Sequence, residues 1–281
     1  MPDIVIHVVA SALYAVLALH FWNTRWRARA AAPAAAAGEP AAPGLQAWER
    51  AAILLPLAMH GALLYSELFA AGELRFGFAY ALSAMLWLTV LFYWLESFLY
   101  DLDAMQPPAL ALAALAVPLP VLFPGRLGAA YAASFEFRVH LVLAMLAYSL
   151  FTIALLHALL MAVVERRLHR KEGAVFGALP PLLTLERLLF RLIGAAFLLL
   201  TVTLATGFAF SESLFGRAMR FDHKTVFGVL SWLTFGLLLA GRQLYGWRGR
   251  TALRWTLSGF VLLFLAYIGS RFVLEVLLGR G

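Results

Sequence analysis

Among the ionisable side chains in the long apolar runs of the sequence, six stand out: His60, Glu96, His140, His157, Arg271 and Glu275. An ionisable group surrounded by hydrocarbon is costly, so each must be paired or put to use. Neutral imidazole ligates transition metals, iron among them. His140 and His157 stand 17 residues apart in one run, about 26 Å along a helix, so they cannot share one ion. His60 lies in a different run, and the sequence leaves His60 and His140 free to approach one site near the same membrane face. His7, His20 and His157 read as structural. Arg271 and Glu275 are four residues apart and share a helix face, where they neutralise each other. Glu96 reads as a solvated helix end. Arg217, Arg220 and Lys224 crowd the stretch 211–224, which suits an anionic ligand or lipid headgroups.

Other chemistry has no foothold. The sequence holds no P-loop, no dinucleotide-binding glycine pattern, no His-Glu-x-x-His and no nucleophile elbow, so an enzyme is not expected. With no cysteine anywhere, disulfides, thiolate metal sites and covalent haem attachment to this chain are excluded.

The elements that must position these groups are membrane helices. Of the 281 residues, 63% are hydrophobic and only 13% charged, far from the balance of a soluble domain. Apolar runs fall at about 4–22, 48–68, 76–98, 108–124, 139–164, 188–210, 225–241 and 253–278. Each is long enough, or nearly so, to cross about 30 Å of hydrocarbon. The expected fold is therefore all-α: a polytopic integral membrane bundle of about eight transmembrane helices. The fourth run is the weakest, with Pro107, Pro108, Pro118, Pro120 and Pro124 in or beside it. Residues 1–47 form a retained first helix and an Ala/Pro-rich linker at 28–43, and residues 48–281 form a seven-helix unit.

Orientation follows from the basic residues. Arg25, Arg27, Arg29 and Arg50 follow the first run. Arg166, Arg167, Arg170, Lys171, Arg187 and Arg191 follow the fifth. Arg242, Arg248, Arg250 and Arg254 follow the seventh. These 14 of 22 basic residues lie on same-side loops, which the positive-inside rule makes cytoplasmic. Both termini then face the periplasm, as does the stretch 211–224. The net charge of +7 is explained by orientation, and nucleic acid is not an expected partner.

The second half of the chain resembles the cytochrome c assembly family of haem-handling membrane proteins, and within it the YpjD/HemX-type branch, over roughly residues 48–281. The family's outer loop has the form Trp-Gly-x-x-Trp-x-Trp-Asp followed by Pro-Lys-Glu-Thr-Trp. Here the corresponding stretch runs Phe215-Gly216-Arg217-Ala218-Met219-Arg220-Phe221-Asp222-His223-Lys224-Thr225-Val226-Phe227. Gly, Asp, Lys and Thr match, and bulky apolar residues stand where the tryptophans would be. Trp232, Arg242 and Gly246-Trp247-x-Gly249 match the helix and turn that follow. Val139-His140 and Tyr148 resemble the family's ligand-bearing helix, and Ala240 occupies the place of the family's second outer histidine.

The resemblance implies non-covalent (b-type) haem at the periplasmic leaflet of a bacterial inner membrane. His140 would ligate iron, with His60 or His223 as the other ligand or none. Phe215, Phe221 and Asp222 would belong to the haem-facing loop, and Arg217 and Arg220 would pair with propionates. Two other functions fit the sequence. One is a non-haem regulatory or scaffolding protein of the same family, working through other membrane assembly proteins. The other is a transporter subunit, on the strength of His60 and the proline-broken fourth run.

Overall fold

The computed structural model describes residues 2–27, 45–70, 76–99, 105–124, 134–169, 182–215 and 223–279, and among these there is no strand. The helices are α1 (Pro2–Phe21), α2 (Ala47–Tyr65), α3 (Phe78–Glu96), α4 (Gln106–Ala116), α5 (Leu119–Leu122), α6 (Phe135–His169), α7 (Leu182–Phe215), α8 (His223–Tyr245) and α9 (Gly249–Phe264). The helical path of α9 continues to Leu277 with wider turns at Leu265–Gly269 and Val273–Leu277. Seven of the described helical segments are long and apolar enough to cross a membrane. The exception is the fourth expected span, Gln106–Leu122. Pro107 sits where helix starts favour proline. Pro118, with no N–H to donate, interrupts the ladder between α4 and α5. The segment is therefore a shorter, broken apolar helix.

Two side-chain clusters hold the bundle together. One gathers Ala10, Tyr14, Ala18 and Phe21 of α1 with Ile53 and Leu57 of α2, Val90 of α3, and Leu110 and Ala113 of α4. The larger joins α3, α6, α7, α8 and α9, and stacks Phe151 on Phe235 with ring centroids 3.9 Å apart. Helix α3 belongs to both. In α3, 61% of the apolar window is buried, against 22–50% for the other six spans. That explains why its sequence is apolar on every face.

Five threonine hydroxyls inside the helices find local partners. Thr89, Thr152, Thr201, Thr203 and Thr234 each donate to the carbonyl four residues earlier, the usual recourse where no water is available.

The ends of the spans carry the ion pairs. Arg25 reaches the Glu49 carboxylate at 2.6 Å and His20 reaches it at 3.2 Å. The same carboxylate accepts the Gln46 backbone N–H at the start of α2. His7 pairs with Glu67 at 3.3 Å, and Arg242 pairs with Glu186 while lying over the Phe190 ring. The expected Arg271–Glu275 pair is present at 3.8 Å. Glu275 also accepts the Phe78 N–H at 3.3 Å, placing a carboxylate on the positive end of α3.

Candidate functional site

His140 lies in the second turn of α6, half-buried, facing α7. Its Nδ1 is 3.0 Å from Thr206 Oγ1. The Thr206 hydroxyl donates its single proton to the Thr203 carbonyl, also at 3.0 Å, and so it accepts from the imidazole N–H. That relay favours the tautomer with the proton on Nδ1, which leaves the Nε2 lone pair for a ligand. Gly207 makes the close approach feasible, because a Cβ there would stand 3.3 Å from His140 Cε1. Sequence reasoning missed Thr206 and Gly207. A threonine and a glycine in an apolar helix carry no chemical signature until the opposing imidazole is in place.

The register of α7 against α8 shows what else lies at this level. Gly228 faces Leu204, Trp232 faces Thr201, and Gly236 faces Phe197. The helices are antiparallel, and Thr206 comes level with about Val226. His223, exposed at the start of α8, is then about one turn from the His140 level. Lys224 is close enough to Glu275 to act on its charge. The starts of α3, α6 and α8 and the ends of α7 and α9 thus meet at one face of the bundle. Arg217, Arg220, Phe221 and Asp222 lie outside the described residues. Phe215 ends α7, and its side chain lies outside them as well.

His60 is placed elsewhere. It is buried between α1, α2 and α3, with Nε2 2.8 Å from Ser83 Oγ and the Tyr14 ring edge-on at 5.9 Å. These contacts and those of His140 share no residue. His157 is fully buried, donates from Nδ1 to the Ile153 carbonyl at 2.9 Å and stacks near Tyr93.

The motif residues of α8 and the following turn are scaffold. Trp232 donates to Thr201 Oγ1 at 2.9 Å and stacks on Phe197. Arg242 donates to the Trp247 carbonyl at 3.3 Å. Trp247 lies across Gly241 and stacks on Trp255. Gly246 and Gly249 take φ of 65° and 56°, the left-handed backbone that a tight reversal needs and glycine adopts freely. Tyr148 donates to the Leu263 carbonyl at 2.7 Å, tying α6 to α9. Ala240 does not stand where a second outer histidine would. It faces outward two residues from Arg242, about 20 Å along α8 from the His140 level, so a histidine there belongs to the opposite face.

The family profile described as "Cytochrome C assembly protein" matches residues 48–278. The chain is 36% identical over 139 residues to "Inner membrane protein YpjD" of Escherichia coli (strain K12), covering 50% of this chain and 52% of that protein. It is 38% identical over 142 residues to an "Uncharacterized 28.8 kDa protein" of Azospirillum brasilense, with the same coverage. It is also 33% identical over 98 residues to "Cytochrome c biogenesis protein CcsA" of Nostoc sp. (strain PCC 7120), covering 35% of this chain and 26% of that protein. The chain spans about half the length of the first of these relatives. No solved structure matches. With helices fit to cross a membrane seven times and a family match running from α2 through the extension of α9, this multi-pass membrane chain belongs to the cytochrome c assembly family.

Proposed function

We propose that this protein binds haem non-covalently at the periplasmic face of a bacterial inner membrane and hands it on without enzymatic chemistry. The observation that carries the reading is the Thr203–Thr206–His140 relay, which holds an imidazole whose Nε2 has no partner among the described residues, beside the end of α7 and the start of α8. His140 would hold the iron. His223 is the second candidate ligand, because the α7–α8 register brings it near the same level, whereas His60 has no part in this reading. Arg217 and Arg220 would meet the propionates through charge-assisted hydrogen bonds, and Phe215, Phe221 and Asp222 would complete the loop. Bound haem supplies an iron centre and a large apolar ring. The protein's share is to orient the imidazole, to offer an apolar flank and to neutralise the carboxylates. The orientation read from the basic residues, with both termini periplasmic and α4–α5 counted as an eighth passage, puts His140 on the outer side.

The test is the visible spectrum of full-length protein purified in mild detergent from cells fed a haem precursor. A Soret band in wild type that is lost or shifted in His140→Ala is expected. A colourless wild type would overturn the reading. The replacement of the family's tryptophans by Phe215, Met219 and Phe221 favours a second one, a scaffolding protein acting through membrane partners. It predicts a co-purifying membrane protein whose association survives His140→Ala.

A further inference from the structure

At the opposite end of α6 from His140, a cleft of about 330 Å³ opens between α6 and α9. Its lining is Ala162, Glu165, Arg166, Arg250, Leu253 and Arg254. At this end the apolar run of α6 gives way to Glu165-Arg166-Arg167, and the apolar run of α9 starts after Arg248-Gly249-Arg250. The cleft therefore sits at the level where hydrocarbon gives way to headgroups. It is amphiphilic: Ala162 lies about one turn deeper than Arg166, and Leu253 lies with Arg254 about one turn deeper than Arg250, where the long arginine side chain can reach back to the headgroup level.

Three guanidinium groups and one carboxylate leave the cleft net positive by two. Glu165 engages Arg250 at 3.3 Å. Arg166 and Arg254 make no ion pair among the described residues. The first turn of α9 has no acidic residue, and Arg248 at its start makes no side-chain cap. Cations at a helix N-terminus oppose the macrodipole, so an anion seated here relieves both the arginines and the helix end. Guanidinium matches phosphate with paired N–H donors.

We infer that this cleft binds a phosphate group, and that its source is the headgroup of an anionic phospholipid whose chains lie against Ala162 and Leu253. The inference is independent of haem binding and does not depend on which leaflet the cleft faces.

The experiment uses the full chain in phosphatidylcholine nanodiscs doped with phosphatidylglycerol, with lipids retained after release read by native mass spectrometry. Wild type is expected to retain phosphatidylglycerol in preference to phosphatidylcholine. Arg166→Gln and Arg254→Gln should each cut that preference about fivefold, the effect of one basic residue at an anionic surface. Arg191→Gln, an exposed arginine of α7 outside the cleft, should leave it unchanged. Equal retention of the two lipids, or a preference untouched in the Arg166/Arg254 double variant, overturns the proposal. In nanodiscs without anionic lipid, inorganic phosphate should give no thermal stabilisation dependent on Arg166 and Arg254. Stabilisation by phosphate with no lipid preference would overturn the lipid as its source.

Discussion

At the scale of single residues, a ligating imidazole is only as good as the group behind it. Thr206→Val keeps the volume next to His140 and removes the hydroxyl that accepts its N–H. Outer-shell partners of this kind are worth roughly 10–100-fold in affinity. Haem titration of Thr206→Val should show weakening in that range, with retention of a His140-dependent Soret band. The Glu49 carboxylate gives a sharper stability test, because Arg25 is buried against it. Glu49→Ala removes the carboxylate shared by Arg25, His20 and the Gln46 N–H and should destabilise the protein by about 1.5–3 kcal/mol, the range for hydrogen bonds to a charged group. A paired Arg25→Met, Glu49→Leu variant should recover most of the loss, measured as the midpoint of thermal unfolding in detergent. The sequence announces His140 by type and family pattern. It does not announce Thr206, Gly207 or the Arg25–Glu49 pair, since each becomes meaningful only when a second helix is laid against the first.

At the scale of elements, small residues set how closely helices approach. A Cβ at Gly241 would stand 2.3 Å from Trp247 Cε3, and one at Gly259 would stand 2.8 Å from the Phe235 ring. Both aromatic rings are held by further stacking partners. Gly241→Ala should cost about 1–3 kcal/mol by overpacking, lowering the thermal midpoint. Gly194→Ala, where a Cβ meets nothing within 4 Å, should not lower it. The spans themselves are readable from apolar runs, because lipid leaves no alternative to helix for the backbone. The fourth keeps the length of its apolar run but is broken at Pro118: prolines in such a run leave its continuity open, and the structure shows where the ladder is lost. The motif residues Trp232, Arg242 and Trp247 look in sequence like the surroundings of a ligand loop. They instead build the packing of α7 on α8 and the turn into α9.

At the scale of the whole molecule, the orientation can be checked directly because the chain has no native cysteine to confound labelling. A cysteine placed at Gly279 should react with a membrane-impermeant maleimide added to intact spheroplasts, and one placed at Ala36 should react only after lysis. The reverse pattern would move His140 to the cytoplasmic leaflet. The charge asymmetry that predicts this orientation is visible in the sequence, since it needs only counting. Which helices are neighbours is not visible there, because in lipid every apolar face looks alike.

The first helix lies outside the region matched to the family, yet it is bound into the bundle by Tyr14 and Phe21, and its Ser11 donates to the Ala114 carbonyl across 103 residues of chain. Its buried stripe therefore has to wait during synthesis, since α1 leaves the ribosome long before α4 exists. Until Ala114 arrives, Ser11 lacks its acceptor, and the Ala10–Tyr14–Ala18 face has only α2 and α3 to pack against. Completion of this half of the protein is thus a late docking event, in which α1 gains its last neighbour only once α4 has been inserted.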